Sequence, residues 1–175
     1  MMRLLQYGIG MIIMMGLLSL QQQQSVTKEV LLFSDDFAGI ESAKNYIIEK
    51  SNKDTNAVEY TEGQLQLDSE GGLTVWYQEK LTGDIRISFD RMVVMNGGPH
   101  DRLSDLNQFW MANDPGEKMF KRKGAFREYD SLLMYYVGMG GNYNKTTRMR
   151  RYDGKGTLEI VGEYTDSAHL LKPNH

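Results

Sequence analysis

The segment Asn96–Trp110 reads Asn-Gly-Gly-Pro-His-Asp-Arg-Leu-Ser-Asp-Leu-Asn-Gln-Phe-Trp and concentrates more chemically useful side chains than any other part of the chain. His100 follows a Gly-Gly-Pro turn and sits beside Asp101 and Arg102. A histidine so placed suits a general base or acid, although it also suits a residue that only orders the turn. Asp105, Asn107 and Trp110 follow with the spacing of a strand. A second polar segment, Tyr135–Tyr152, carries Tyr136, Asn142, Tyr143, Asn144, Arg148 and Arg150. β-Elimination on a uronic acid needs a base, an acid and a group that neutralises the carboxylate. His100, a tyrosine (Tyr136 or Tyr143), and Arg148 with Asn144 are the candidates for those roles. Arg102, Asp105, Asn107, Trp110, Asn142, Asn144, Arg148 and Arg150 are the candidate substrate-binding residues. Arginine forks hold carboxylates and sulfates at two points, so Arg148 and Arg150 on one strand point to an acidic sugar.

Competing chemistries are weaker. A glycosidase needs two carboxylates facing across a cleft. Asp105 and Asp130 qualify by type, but Asp105 is equally placed to pair with Arg102 or to cap the turn. No Asp-x-Asp-x-Asp calcium loop is present; Asp35–Asp36 is the one place for a structural calcium, and no other cofactor is expected. Gly138-Met139-Gly140-Gly141 has no helix after it, which argues against a phosphate loop. The chain has no cysteine, so disulfides and thiolate metal sites are excluded.

The elements that must position these residues are short strands. Alternation and turn signals predict strands at Glu29–Phe33, Ala57–Thr61, Gln64–Leu67, Leu73–Glu79, Ile85–Met95, Asp105–Ala112, Ser131–Val137, Lys145–Tyr152 and Thr157–Glu163. Ile40–Lys50 reads as a short helix or a strand. The pattern predicts an all-β fold, a sandwich or jelly roll. Trp76 reads as core. One of Tyr135 and Tyr136 must point inward, and alternation alone leaves open which. The Arg148, Arg150, Tyr152 face holds almost no aliphatic side chains and is expected to be solvent or a ligand groove rather than core. The connection Asn113–Glu128 is long and basic, in the manner of a lid or a disordered loop.

The 175 residues suit one domain, expected over residues 25–175. Residues 1–24 have the pattern of a secretory signal: Arg3, an apolar run Ile9–Leu20 shorter than a span of roughly 20 residues, and a glutamine exit. A secreted or periplasmic location is expected, with no membrane contact beyond that segment. Residues 28–70 hold ten acidic and four basic side chains, a net of −6. Residues 118–155 hold ten basic and three acidic ones, a net of +7. The basic half suits an anionic partner. Charge alone admits nucleic acid, an acidic polysaccharide or simply a solvated charged face; the expected partner is an acidic oligosaccharide or polysaccharide, not nucleic acid.

Ser34-Asp35-Asp36-Phe37, Gly72-Leu73-Thr74-Val75-Trp76, Gly97–Trp110, Tyr135-Tyr136-Val137-Gly138-Met139-Gly140-Gly141-Asn142 and Thr146–Gly154 together resemble the YesU-like, concanavalin-A-like domains of unknown function. These are secreted bacterial proteins, common in Bacteroidetes and often encoded beside polysaccharide-degrading enzymes. The resemblance implies a two-sheet jelly roll with a sugar-holding concave face, and further strands after the Leu-Lys-Pro-Asn segment, so the chain is expected to lack its last strands. It implies no catalytic assignment. The arginine-serine-glutamate, glutamine-x-histidine and tyrosine-lysine-glycine strands of the jelly-roll alginate lyases are absent.

Overall fold

A computed structural model describes residues 2–8, 28–54 and 57–175. The fold is mostly β, built from antiparallel sheets, as the alternation predicts. The strands are β1 (Met2–Gly8), β2 (Lys28–Asp35), β3 (Tyr46–Lys50), β4 (Val58–Thr61), β5 (Gln64–Leu67), β6 (Leu73–Tyr77), β7 (Ile85–Ser88), β8 (Leu106–Asn113), β9 (Leu133–Gly140), β10 (Thr146–Asp153) and β11 (Leu158–Tyr164). Ile40–Asn45 is a short 3-10 turn that leads into β3, so the ambiguous stretch is half turn and half strand. The apolar run Ile9–Leu20, on which the export expectation rests, lies outside the described residues. Among the described residues no helix is long and apolar enough to cross a membrane.

Four strands form the main sheet, in the order β11-β10-β9-β8. Its edge strand β11 turns Leu158, Ile160, Val161 and Tyr164 to solvent. A second sheet has the order β2-β1-β7, and β3-β6 and β4-β5 are two-stranded ribbons. β7 ends at Ser88, short of the predicted Met95, because its partner β1 runs out there: Arg3 is the last residue to pair, opposite Ser88. Beyond it, Val93 bridges to Pro173, and Asn174 hydrogen-bonds to Met95.

The core is aromatic. Trp76, Tyr129, Leu132, Met134, Tyr136 and Tyr152 are buried together, with Ile47, Phe109, Ala112 and Met119 packed around them. The Trp76 ring meets Phe109 edge to face at 4.8 Å, a favoured aromatic geometry. A second aromatic group, Phe33, Tyr46 and Tyr77, joins β2 to the β3-β6 ribbon.

The connection between β8 and β9 is long and basic, as expected, but it is tied down. The Arg122 guanidinium donates to Asp114 Oδ2 (2.6 Å) and to the carbonyls of Lys118 (3.0 Å) and Glu128 (2.7 Å). The two charged side chains are only 5% and 1% exposed. Asp114 also accepts from the N–H groups of Gly116 and Lys118. The Arg122 N–H reaches Glu49 on β3. At Gly124, φ is +80° and the backbone presses against β3 and β6: a Cβ there would lie 2.7 Å from the Glu49 and Gly72 carbonyl oxygens. Gly124→Ala is therefore expected to cost about 3 kcal/mol, from a left-handed conformation together with a backbone clash. Denaturant unfolding checks this, and a loss under about 1 kcal/mol would show that the loop is free to move away.

Candidate functional site

Register decides which side chains meet. β8 pairs Asn107 with Gly138 and Phe109 with Tyr136; β10 pairs Arg148 with Gly138 and Arg150 with Tyr136. Side chains directly opposite on paired strands share a face. Asn107, Tyr136, Arg148 and Arg150 therefore stand on one face, around Gly138. A Cβ at Gly138 would meet Tyr136 Cε1 at 3.0 Å, Asn107 Oδ1 at 3.2 Å and Arg150 Nη1 at 3.4 Å. The glycine is thus the floor on which these three side chains converge.

Arg150 is the centre of the cluster. Its Cζ lies 5.3 Å from the Tyr136 ring centroid and 5.8 Å from that of Phe126, and the two rings touch edge to face. A guanidinium over an aromatic face is held by the ring quadrupole. Among the described residues no carboxylate lies within ion-pair distance of it; the neighbouring arginines, by contrast, are paired, Arg148 with Glu163 and Arg151 with Glu159. Tyr136 is 4% exposed and is the inward member of the Tyr135–Tyr136 pair. Burial raises its phenol well above the ordinary value, against the pull of the Arg150 charge, and Asp105 adds to the rise. Its proton stays on at neutral pH.

The Arg148, Arg150, Tyr152 face is not the open groove that its lack of aliphatic residues suggested. Tyr152 is 1% exposed and belongs to the core. Aromatic rings fill the place that aliphatic side chains would take, so one end of this face is interior and only the Gly138 end carries the polar cluster.

The other candidates fall elsewhere. Trp110 projects from the opposite face, stacked on Tyr135 at 6.1 Å. Asp105 has φ +58° and pairs with Arg102 at 3.1 Å, the bland role the sequence allowed, while also accepting from the Ser104 hydroxyl. Asn144 makes two 2.9 Å bonds to the backbone of Leu171, which fix the β9–β10 turn to the C-terminal segment. Asn142 and Tyr143 lie in that turn with positive φ, and Tyr143 is 82% exposed. His100 Nδ1 lies 2.7 Å from Asp68 Oδ1, within hydrogen-bond reach of the carboxylate. Asp101 shapes its loop by accepting from the N–H groups of Asn96, Gly97 and Gly98; desolvation works against its charge, but these three bonds outweigh it and hold the carboxyl below its ordinary value. Among the described residues no hydrogen bond or ion pair links His100 to the Arg150 cluster.

Sequence reasoning missed Phe126, Asp68 and Glu49. Phe126 sits in a basic run with no periodic signal. Asp68 lies 32 positions from His100. Glu49 looks like an exposed charge in Tyr-Ile-Ile-Glu-Lys, yet it is 3% exposed. At Asp35, Ser42 Oγ (2.6 Å), Asn45 Nδ2 (3.1 Å) and the Phe37 N–H (2.9 Å) all donate to the carboxyl, a use that competes with the suggested calcium. Among the described residues no group of three or more His, Asp or Glu side chains is arranged to hold a metal.

A family model described as a domain of unknown function, DUF6250, matches residues 67–175. The chain belongs to the DUF6250 family. The DUF6250 stretch contains the whole Gly138 cluster, the His100–Asp68 pair and the Arg122-tied loop, and it excludes Glu49. No curated protein and no solved structure matches the chain.

Proposed function

We propose that this DUF6250 chain takes an acidic oligosaccharide at the Gly138 end of the main sheet, with Arg150 receiving a carboxylate or sulfate. The observation that carries this reading is a guanidinium set between Tyr136 and Phe126 with no carboxylate of its own. Such a group offers a fork to a carboxylate or sulfate, and the exposed Phe126 ring beside it suits the apolar face of a sugar. Asn107 adds an amide for hydroxyl groups. Residence outside the cytoplasm and kinship with the YesU-like saccharide proteins belong to the same proposal.

If the ligand is also transformed, elimination is the chemistry that fits. Tyr136 keeps its proton and is suited to donate it to the leaving oxygen. His100, with Asp68 fixing its tautomer, would act as base. A second reading, a non-catalytic saccharide-binding module, is favoured because, among the described residues, no bond joins His100 to the Arg150 cluster.

Arg150→Gln keeps the side chain's bulk and removes its charge. It is expected to weaken binding of a uronic-acid tetramer by about 10- to 100-fold, measured by titration calorimetry. Unchanged affinity would overturn the proposal. His100→Ala separates the two readings: loss of an ultraviolet-absorbing unsaturated product with binding retained marks elimination. Binding by the parent protein with no product at any time marks the binding module.

A further inference from the structure

The loop that ends at Phe126 does more than wall the Arg150 cluster. Its one interior cation, Arg122, is spent on Asp114 and on backbone carbonyls. Lys121, Lys123 and Arg127 are exposed, and none of the three side chains has a hydrogen bond, ion pair or ring contact among the described residues. Arg127 adjoins Phe126, whose ring touches both Arg150 and Tyr136. The strand of loop that carries these cations is held in place by Arg122 and by the close approach of Gly124 to β3 and β6. Three exposed cations thus lie on a tied-down loop that reaches Arg150 through Phe126, interrupted by one carboxylate, Glu128, which accepts from the Lys123 N–H.

We infer that the ligand is a linear polyanionic polysaccharide, one acidic unit of which occupies Arg150 while the following units run past Phe126 along Lys121, Lys123 and Arg127. The inference rests on the acidic-saccharide reading of Arg150 and adds a chain length and a direction to it. A polymer gains affinity with each unit that reaches a cation. It also releases counterions as it binds, so that affinity falls steeply with salt. A single sugar contacts Arg150 alone and has little of either property.

Titration calorimetry with a uronic-acid monomer, tetramer and octamer at low and moderate salt tests this. The parent protein is expected to bind the octamer at least about tenfold more tightly than the monomer. The triple variant Lys121→Gln, Lys123→Gln, Arg127→Gln is expected to lose that gain and most of the salt dependence, and to bind the monomer unchanged. All three positions are exposed, so a melting curve matching the parent's is expected and is checked alongside. Equal affinity for monomer and octamer would overturn the run along the loop and leave the Arg150 reading standing, as would a triple variant that keeps the octamer's advantage. Failure of every length to bind would overturn both. A DNA duplex bound as tightly as the octamer, and released by the same triple variant, would overturn the polysaccharide in favour of nucleic acid.

Discussion

Arg122→Met is expected to destabilise the protein by about 3–5 kcal/mol, because it leaves the buried Asp114 carboxylate without its cation. For a chain of this size that corresponds to a fall in Tm of about 10 °C. The guanidinium cannot be replaced by shape alone. It joins Asp114 at the start of the loop to the Lys118 and Glu128 carbonyls further along, so its removal opens three contacts at once. The pH dependence gives a second handle. Burial works against the Asp114 charge, but Arg122 and the Gly116 and Lys118 N–H groups outweigh it and hold the carboxyl below its ordinary value. A carboxyl depressed in the folded state adds stability that is fully present above the unfolded value, about 4. That contribution is lost as the pH falls through the folded value. Without Arg122 only the Gly116 and Lys118 N–H groups oppose the burial, so the lowering is weaker and the variant loses less on acidification. The Tm difference between parent and variant should therefore shrink on acidification. A difference that stays constant from pH 7 to about pH 3 would assign the loss to packing and not to the ion pair.

Glu49→Leu is expected to cost a similar amount, about 3–6 kcal/mol. Its carboxyl group accepts from Trp76 Nε1 (2.7 Å), the Tyr129 hydroxyl (2.9 Å) and the Arg122 N–H (2.5 Å). Leucine would leave Trp76 Nε1 and the Arg122 N–H without this acceptor and the Tyr129 hydroxyl with Thr74 alone, and each lost acceptor costs about 1–3 kcal/mol less whatever water can reach the donor. Burial pushes the Tyr129 phenol up and the Glu49 carboxyl adds to the rise, so the hydroxyl remains a donor that needs a partner. Glu49→Gln keeps one carbonyl oxygen for Trp76 and Tyr129 and turns an amide toward the Arg122 N–H, so it should fall between leucine and the parent. Denaturant midpoints give the order directly. Equal losses for leucine and glutamine would mean that charge, and not the count of acceptors, is what the three donors require.

Alternation was legible in the sequence: it placed Trp76 in the core and separated Trp110 from Asn107 and Phe109, but it failed after Trp110, where a bulge turns Met111 to solvent and Ala112 to the core. What it could not supply was register between strands. That Arg150 lies opposite Tyr136, and that Asn107 and Arg148 both lie opposite Gly138, depends on how β8, β9 and β10 slide past one another. The inward choice of Tyr136 over Tyr135 follows from the same pairing. The Arg148 face misled because aliphatic content was read as the mark of a core, whereas here Tyr136, Tyr152, Phe109 and Trp76 do that work. Arg122 and Glu49 were invisible for a different reason. A buried charge surrounded by donors and acceptors from distant segments leaves no local pattern, and both sit in stretches whose composition reads as surface.

The exposed edge of the main sheet sets how the protein behaves when it is concentrated. Among the described residues β11 has an unpaired row of backbone donors and acceptors, flanked by Leu158, Ile160, Val161 and Tyr164, and its own sequence has no lysine or proline to repel a neighbour. Its two glutamates are neutralised by Arg148 and Arg151 from the adjacent strand. A strand of that kind is a template for intermolecular pairing. Concentration is therefore expected to drive pairing along β11, and because Ile160 lies directly opposite Arg150, a charge placed there to block that pairing would also bear on the Arg150 cluster.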